Sequence, residues 1–293
     1  MLTQNQILAH SVPTLRAMCD TPLPADGTPS PPTTAPSDTA AHPLPLTGER
    51  TLPGIADERY WFLRHVIAYR AAGEVVATHT FPAVLDAGCG EGYGLALLAD
   101  AGAGRVLGVD LDEPTVSHAR QRYAARDQRI EVEVAELREV PLPDDSCEVA
   151  VSFQVIEHLH DIPGFLAELR RVTRPGGQVL LATPNRLTFT PDSDTPVNPF
   201  HTVEFTAQEL TTLLERAGLT VERMLGVHHA GRLREVELER AVSLPRLLGA
   251  MAPDTWPPWL RQVVHDTEET DFRIGADQVD ASLDLLAICR EPA

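Results

Sequence analysis

A short apolar run that breaks into a glycine-rich turn constrains this chain more than any other feature. Residues 83–85 are apolar and an acid follows them, which predicts the end of a buried strand. Next comes the turn Gly88-Cys89-Gly90-Glu91-Gly92-Tyr93-Gly94, and a helix is predicted from Leu95 to Ala99. Glycines let the backbone turn tightly and approach a ligand where a side chain would collide. The pattern therefore indicates a nucleotide-type ligand site at a strand-turn-helix junction.

Asp86 indicates the charge of that ligand. It lies two residues before the first glycine, where a negative charge would repel a pyrophosphate and attract a cation. S-adenosylmethionine fits this position because its sulfonium and amino groups are positive and it carries no phosphate. The alternative is an ordinary βαβ turn with surface acids, since dinucleotide-binding folds share the same backbone geometry.

Residues 84–94 resemble motif I of the class I S-adenosylmethionine-dependent methyltransferases. The resemblance implies an α/β, Rossmann-like fold, with a seven-stranded, mostly parallel sheet, an antiparallel last strand and helices on both faces. It also implies that S-adenosylmethionine is the cofactor. A second predicted strand, residues 105–110, ends in Asp110 about twenty residues after the turn, where a carboxylate would grip a ribose diol.

Further candidate cofactor contacts follow the other predicted strands. Strand 130–134 is followed by Glu136 and Leu137, at the usual place for adenine contacts, although the family more often has an aspartate where Glu136 stands. On a predicted helix over residues 58–70, Arg64 could reach the carboxylate of the methionine moiety. The complete predicted set is Arg64, Asp86, Gly88, Cys89, Gly90, Asp110, Leu111, Glu136, Leu137 and Gln154.

Composition excludes several other classes of protein. A formal net charge of −18 argues against a nucleic-acid partner, because affinity for phosphates comes from clustered Lys and Arg. The four cysteines form no CxxC pair, so neither a zinc knuckle nor a disulfide framework is indicated. No run of about 18 apolar residues exists and the N-terminus lacks the features of a signal peptide. We expect no membrane partner and a cytoplasmic location.

Changes in amino-acid composition and pattern along the chain predict five segments. Residues 1–46 are rich in Pro, Thr, Ser and Ala and predict a disordered leader, and residues 47–80 predict a helical N-terminal cap. The methyltransferase core is expected over 81–229. An insertion or lid is expected over 230–279, because a loop of this length in a compact domain is usually functional. The final strand of the core is expected within 280–293.

Two features of the last part of the chain bear on the acceptor. Residues 221–227 and 282–290 predict a final antiparallel pair of strands. Within the insertion, Trp256 and Trp259 lie close together, and aromatic faces stack on sugars and on flat ligands. The alternative is that both tryptophans anchor the insertion to the core.

Candidate catalytic residues follow the fourth and fifth predicted strands. Gln154, Glu157 and His158 share one side of a helical turn after the fourth strand, and His201 lies in the loop after the fifth. In an open α/β sheet, ligands bind outside the carboxyl ends of the strands. Either histidine could serve as a general base, or Glu157, His158 and His201 could together hold Mg²⁺ or Mn²⁺.

The same order of residues resembles the metal site of small-RNA 3′-terminal 2′-O-methyltransferases and, in part, ubiquinone-pathway O-methyltransferases. In those enzymes two glutamates and histidine form the motif that here reads Gln154-Val155-Ile156-Glu157-His158, so Gln154 replaces the first glutamate. The replacement removes one anionic ligand of a hard cation, although an amide oxygen can still coordinate.

A narrower resemblance concerns the acceptor. Several segments together resemble actinobacterial methyltransferases of glycans and glycosylated metabolites, most nearly the mycofactocin oligosaccharide methyltransferases; they are residues 47–50, 86–94, 153–159, 174–177, 183–201, 226–229 and 280–284. The resemblance implies O-methylation of a sugar hydroxyl, with a small-molecule or oligosaccharide acceptor. A small carbon or phenolic acceptor, and a non-catalytic or nicotinamide-binding Rossmann protein, are the alternatives.

Overall fold

A computed structural model describes Leu44, residues 51–191 and residues 193–293 of the chain. The predicted leader lies outside the described residues except for Leu44, and so does the segment 47–50 of the predicted cap.

Helices and strands alternate through most of the described chain. The α-helices are α1 Arg59–Val76, α2 Tyr93–Asp100, α3 Glu113–Ala119, α4 Ile162–Val172, α5 Arg186–Phe189, α6 Ala207–Arg216, α7 Gly231–Arg240, α8 Leu244–Ala250 and α9 Pro258–His265. The strands are β1 Ala83–Ala87, β2 Arg105–Asp110, β3 Ile130–Val134, β4 Cys147–Phe153, β5 Thr173–Pro184, β6 Thr220–His229, β7 Phe272–Gly275 and β8 Asp284–Arg290. A π-helical turn, Arg120–Ala124, extends α3, and a short 3₁₀ turn, Ile156–His158, follows β4.

The strands form one mixed sheet in the order β3-β2-β1-β4-β5-β8-β6-β7. Strands β1 to β5 pair in parallel, and β8 runs antiparallel to both β5 and β6. The chain leaves β1 toward β2 and β3 on one side and returns to place β4 on the other. Ligands of doubly wound sheets bind at such a reversal, outside the carboxyl ends of the strands.

The predicted α/β class and its antiparallel last strand are confirmed, and the sheet has eight strands where seven were expected. The additional strand is β7, which pairs antiparallel with the end of β6 from within the predicted insertion. Its four residues, Phe-Arg-Ile-Gly, are too few to show the alternation by which a strand is recognised in a sequence.

Apolar spacing explains why helix α4 lies on the sheet. Phe165, Leu166, Leu169 and Val172 follow a helical period and are all buried. Burial of each such side chain contributes about 1.5–3 kcal/mol. Asp161 is the N-cap of this helix: its carboxylate accepts the backbone N–H of Gly164 and satisfies a donor that the first turn leaves unpaired.

The insertion is attached to helix α1 by polar contacts. Nε of Arg59 donates to the carbonyl of Thr267 over 2.6 Å, and Arg70 forms an ion pair with Glu269 at 3.1 Å. Trp256 is buried and donates its indole N–H to a backbone carbonyl, and Trp259 lies under the guanidinium of Arg240. Both partners, Met251 and Arg240, belong to the insertion, so these contacts hold the two tryptophans within it.

No helix among the described residues combines the length and apolar character needed to cross a membrane.

Candidate active site

The glycine-rich turn after β1 uses its own N–H groups within the protein. Gly88 and Cys89 donate to the carbonyl of Val109 at 2.8 and 2.9 Å, and the N–H of Gly90 donates to the Asp110 carboxylate at 3.0 Å. Gly88 and Gly90 both have positive φ, which a glycine adopts without strain. A turn whose donors are engaged in this way offers few N–H groups to a pyrophosphate, unlike the dinucleotide-binding turn.

Close packing explains two of the glycines. A Cβ atom at Gly88 would lie 2.5 Å from the side chain of Val155, which follows β4. A Cβ atom at Gly94 would lie 2.2 Å from the ring of Tyr69, which helix α1 inserts under the turn. The turn is therefore held between helix α1 and the carboxyl end of β4.

Asp86 is a fully buried carboxylate at the end of β1. Its Oδ2 accepts the hydroxyl of Tyr69 at 3.0 Å, and its Oδ1 has no hydrogen-bond partner among the described residues. Burial raises the pKa of Asp86 to about 7, and the nearby charge of Asp110 acts in the same direction. An unpartnered oxygen on a buried carboxylate is suited to a cationic ligand, which agrees with the predicted sulfonium donor.

A cavity of about 620 Å³ opens at the carboxyl ends of β1, β2 and β4. Eight of the ten predicted cofactor residues line it; they are Gly88, Cys89, Gly90, Asp110, Leu111, Glu136, Leu137 and Gln154. Asp86 lies beneath the turn and does not line the cavity. The lining includes no described residue of the insertion.

Arg64 differs from the other predicted cofactor residues. It is 2% exposed and does not line the cavity. Its Nε and Nη2 donate to the Asp284 carboxylate at 2.6 and 2.5 Å, and Nη2 also donates to the carbonyl of Leu283. A buried guanidinium requires such a partner. The structure thus pairs Arg64 with Asp284, and the contact of Arg64 with the donor carboxylate stays a prediction.

Several lining residues were not predicted from the sequence. His65, Tyr69 and Tyr93 line the cavity beside the turn, and His160 and Asp161 line it beyond β4. Helix α1 shows only that one face is apolar, and nothing in that pattern separates a lining residue from a core residue. Burial lowers the pKa of His65 to about 4, so this imidazole is neutral near pH 7.

Glu157, His158 and His201 form one cluster beside this cavity. Each offers one side-chain ligand atom, and these atoms lie within 4.8 Å of one another. The N–H of Thr202 donates to the carbonyl of Glu157 at 2.7 Å and so ties the loop after β5 to the turn after β4. The structure therefore brings together the three predicted catalytic residues, and His158 is the member that lines the cavity.

Hydrogen bonds fix the orientation of the imidazole rings of His158 and His201. Nδ1 of His158 lies 3.1 Å from the carbonyl oxygen of Phe200, which can only accept, so Nδ1 carries the proton and the lone pair of the neutral ring is on Nε2. Nδ1 of His201 lies 2.8 Å from the Glu204 carboxylate, and its Nε2 lies 3.0 Å from the Asn198 amide nitrogen. The two rings meet edge to face, with centroids 5.0 Å apart.

Glu157 is the buried carboxylate of the cluster. It is 1% exposed, and its Oε2 accepts the hydroxyl of Thr183 at 2.9 Å. Burial raises the pKa of Glu157 to about 7, against the lowering effect of its hydrogen bonds and of His201. A protonated and an ionised form of this group are therefore both accessible near neutral pH.

Gln154 belongs to the cavity. Its φ of 56° is left-handed, and its amide nitrogen donates to Asp284 at 3.3 Å. Asp284 therefore contacts both Arg64 and Gln154, and it connects helix α1 to the wall of the cavity.

Comparison with known proteins assigns the chain to a family. Residues 85–181 match the profile of a family described as a methyltransferase domain. A probable S-adenosylmethionine-dependent methyltransferase of Mycolicibacterium smegmatis is 48% identical over 257 residues, which cover 85% of this chain and 96% of that protein. The chain belongs to the S-adenosylmethionine-dependent methyltransferases.

Two further comparisons agree with the assignment. A protein of Mycobacterium tuberculosis described in the same words is 45% identical over 265 residues, which cover 88% of this chain and 94% of that protein. A chain from the complex between the Haloferax volcanii Trm112 methyltransferase activator and a methyltransferase superposes with a TM-score of 0.56 at 20% identity. That match covers 81% of this chain and 94% of the other, and it shows the shared fold. The methyl donor of this enzyme is S-adenosylmethionine.

Proposed function

We propose that this methyltransferase transfers a methyl group to a sugar hydroxyl of a glycosylated metabolite. The observation that carries the proposal is the position of His158, whose ring lines the donor cavity and whose neutral tautomer has its lone pair on Nε2. An alcohol is a poor nucleophile, so its methylation requires alignment with the donor and a group that takes the hydroxyl proton. A base at the edge of the donor cavity meets the second requirement.

The donor-binding roles follow from the lining of the cavity. Asp110 is held by the N–H groups of Gly90 and Asp112, and its remaining lone pairs would accept the two ribose hydroxyls. Leu111 and Leu137 would pack on the adenine, with Glu136 at its edge. Asp86 would stabilise the positive charge of the methionine moiety from beneath the turn.

The chemical step needs few groups of the protein. S-adenosylmethionine supplies an electrophilic methyl group, and the electrons of its broken C–S bond remain on sulfur. Nε2 of His158 takes the proton as the acceptor oxygen bonds to the methyl carbon. His201 contacts His158 edge to face, and its own nitrogens are held by Glu204 and Asn198, so we assign it a positioning role. General-base catalysis of this kind contributes about 10²–10⁴-fold in rate.

A divalent cation at the same cluster is the second candidate. Both imidazoles direct Nδ1 to an acceptor, a carbonyl at Phe200 and a carboxylate at Glu204, as metal-binding histidines commonly do. Glu157 would supply the anionic ligand beside His158 and His201. Mg²⁺ or Mn²⁺ bound there would lower the pKa of a coordinated hydroxyl. The Asn198 amide occupies Nε2 of His201 and would have to be displaced.

The acceptor assignment rests on the resemblance to glycan methyltransferases and on charge. A net charge of −18 disfavours acidic acceptors, and a neutral sugar carries no such penalty. Among such acceptors, we propose the mycofactocin oligosaccharide as the natural substrate. The test compares metabolites of cells with and without the gene by mass spectrometry, where loss of a methylated hexose conjugate is expected.

An assay with purified enzyme tests the acceptor class directly. Methyl-labelled S-adenosylmethionine is supplied with cellotriose, a neutral glucose oligosaccharide, or with catechol, a phenolic acceptor. Label is expected in the trisaccharide, at an oxygen located by NMR. Label in catechol alone would overturn the sugar assignment and leave the methyltransferase assignment intact.

A further inference from the structure

Exposed apolar side chains are concentrated beside the catalytic cluster. Seven large apolar residues are exposed among the described residues, and three of them lie within residues 187–200: Leu187 at 43%, Val197 at 67% and Phe200 at 58%. This segment also carries the loop that delivers His201. Another of the seven, Leu111, lines the donor cavity. Large apolar side chains that are left in water beside a ligand site commonly belong to a binding surface.

The backbone of Phe200 is fixed although its side chain is exposed. Its N–H donates to Oδ1 of Asn198 at 2.9 Å, and its carbonyl accepts Nδ1 of His158 at 3.1 Å. The N–H of His201 closes the same turn by donating to the carbonyl of Asn198 at 3.2 Å. The aromatic ring therefore stands on a rigid turn that is bonded directly to the proposed base.

We propose that Phe200 is the stacking platform for the acceptor sugar, a role that rests on the proposed function. The C–H face of a pyranose is apolar while its hydroxyls project from the edge, so a ring lying on Phe200 presents an edge hydroxyl toward His158. Because the turn is already fixed, an aromatic side chain on it loses little conformational entropy when the sugar binds, which favours affinity.

The charges around Phe200 and of the whole chain favour a neutral sugar as the molecule that stacks on Phe200. The near surroundings of Phe200 offer the amide of Asn198 and the imidazole of His158 as hydrogen-bonding groups. The Asn198 amide carries no charge that would compensate a phosphate or carboxylate, and the chain as a whole is strongly acidic. The platform therefore selects an uncharged polyhydroxylated ring over an anionic acceptor.

The test measures acceptor KM with cellotriose for wild type, Phe200→Ala and Phe200→Trp. Phe200→Ala should raise KM about tenfold with kcat changed much less, the scale of one lost stacking contact. Phe200→Trp should keep KM close to that of wild type. Donor affinity, measured by calorimetry with S-adenosylhomocysteine, should be unchanged in both variants, which also shows that they are folded.

Phe81→Ala is the matched control. Phe81 is also an exposed phenylalanine, at 82%, but it lies before β1, whereas the backbone carbonyl of Phe200 is bonded to His158. Its substitution should leave acceptor KM unchanged.

In NMR spectra of the complex, ring-current shifts of the sugar C–H protons should be present for wild type and lost in Phe200→Ala. Equal KM for wild type and Phe200→Ala would overturn the platform while the sugar assignment stands. Failure of wild type to methylate or bind cellotriose would count against both.

Discussion

The hydroxyl of Tyr69 donates to the Asp86 carboxylate across 3.0 Å beneath the glycine-rich turn, and it satisfies one oxygen of a group with no exposed surface. The other oxygen has no partner among the described residues. Burial is the main reason that the pKa of Asp86 rises to about 7, and the Tyr69 hydrogen bond opposes that rise. The negative charge of Asp86, which should attract the donor, is therefore gained or lost by titration near neutral pH.

Donor affinity should depend on pH through Asp86. Because the pKa is about 7, the carboxylate is mostly protonated at pH 6 and mostly ionised at pH 8. If the cationic donor binds the ionised form, its dissociation constant should fall about tenfold between these pH values. Calorimetry with S-adenosylmethionine at both pH values gives the measurement. Asp86→Asn should bind more weakly and lose this pH dependence, and an unchanged dependence in that variant would assign the effect to another group.

The raised pKa values of Asp86 and Glu157 predict how the stability of the ligand-free enzyme depends on pH. The pKa of Asp86 lies above its ordinary 3.8 and that of Glu157 lies above its ordinary 4.5, so the folded state binds more protons than the unfolded state between about pH 4 and 7. Both groups therefore lower the free energy of unfolding as pH rises through this window. The rise in melting temperature on adding the donor should be larger at pH 8 than at pH 6.

Arg64 and Asp284 should be strongly coupled in stability. Both side chains are about 2% exposed, so Arg64→Met leaves a buried carboxylate without its charged partner. The cost should be about 3–5 kcal/mol in the free energy of unfolding, measured by denaturant titration. The double variant Arg64→Met, Asp284→Leu should lose less than the sum of the two single variants.

A surface ion pair provides the control for that measurement. Arg105 and Glu131 are about half exposed, with their charged atoms 2.7 Å apart. Arg105→Met should cost about 1 kcal/mol or less, because water screens the pair. Equal losses for the Arg64 and Arg105 variants would show that the Arg64 pair contributes no more than a surface contact.

Local signals in the sequence were sufficient for much of the fold. Strands β2 and β3 begin and end at the predicted residues, because β2 has an apolar centre and β3 alternates apolar residues with glutamate. Thr206 caps helix α6 through a capping box with Glu209, a pattern that can be recognised in the sequence. Strand β7 was missed because its pairing with β6 depends on a contact more than forty residues distant, which four residues do not encode.

The site was predictable where residues follow strand ends and less so elsewhere. Parallel strands bring their carboxyl ends to one edge, so Asp110, Glu136 and Glu157 could be placed near the ligand from the sequence. Tyr69 lies on a helix whose docking angle is set by packing, and its approach to Asp86 has no local signal. The partner of Arg64 was missed for the same reason, because 220 residues separate it from Asp284.

Asp110 should discriminate the donor from a nicotinamide dinucleotide. Asp110→Ala should weaken binding of S-adenosylmethionine and S-adenosylhomocysteine by about 1.5–3 kcal/mol, the scale of hydrogen bonds to a charged group. NAD should not bind wild type, because the turn uses its N–H groups within the protein. Calorimetry measures all three ligands. Asp254→Ala, an exposed carboxylate of the insertion, is the control and should bind the donor like wild type.

The catalytic cluster yields the last prediction, in which the two histidines have unequal effects. His158→Ala removes the group with its lone pair on Nε2 at the cavity, so kcat should fall about 10²–10⁴-fold with donor affinity kept. His201→Ala should cost less, because both nitrogens of His201 are held by Glu204 and Asn198. Initial rates at saturating donor and acceptor give both values.

Dependence on a cation separates the two roles open to this cluster. If His158 acts as a base alone, removal of divalent ions with EDTA should leave kcat unchanged, and Glu157→Gln should change it modestly. If Glu157, His158 and His201 hold Mg²⁺ or Mn²⁺, EDTA should abolish turnover, either metal should restore it, and each single substitution should weaken metal binding measured by calorimetry. Full turnover by the His158→Ala, His201→Ala double variant would contradict both roles, and proximity to the donor would then be the main source of the rate.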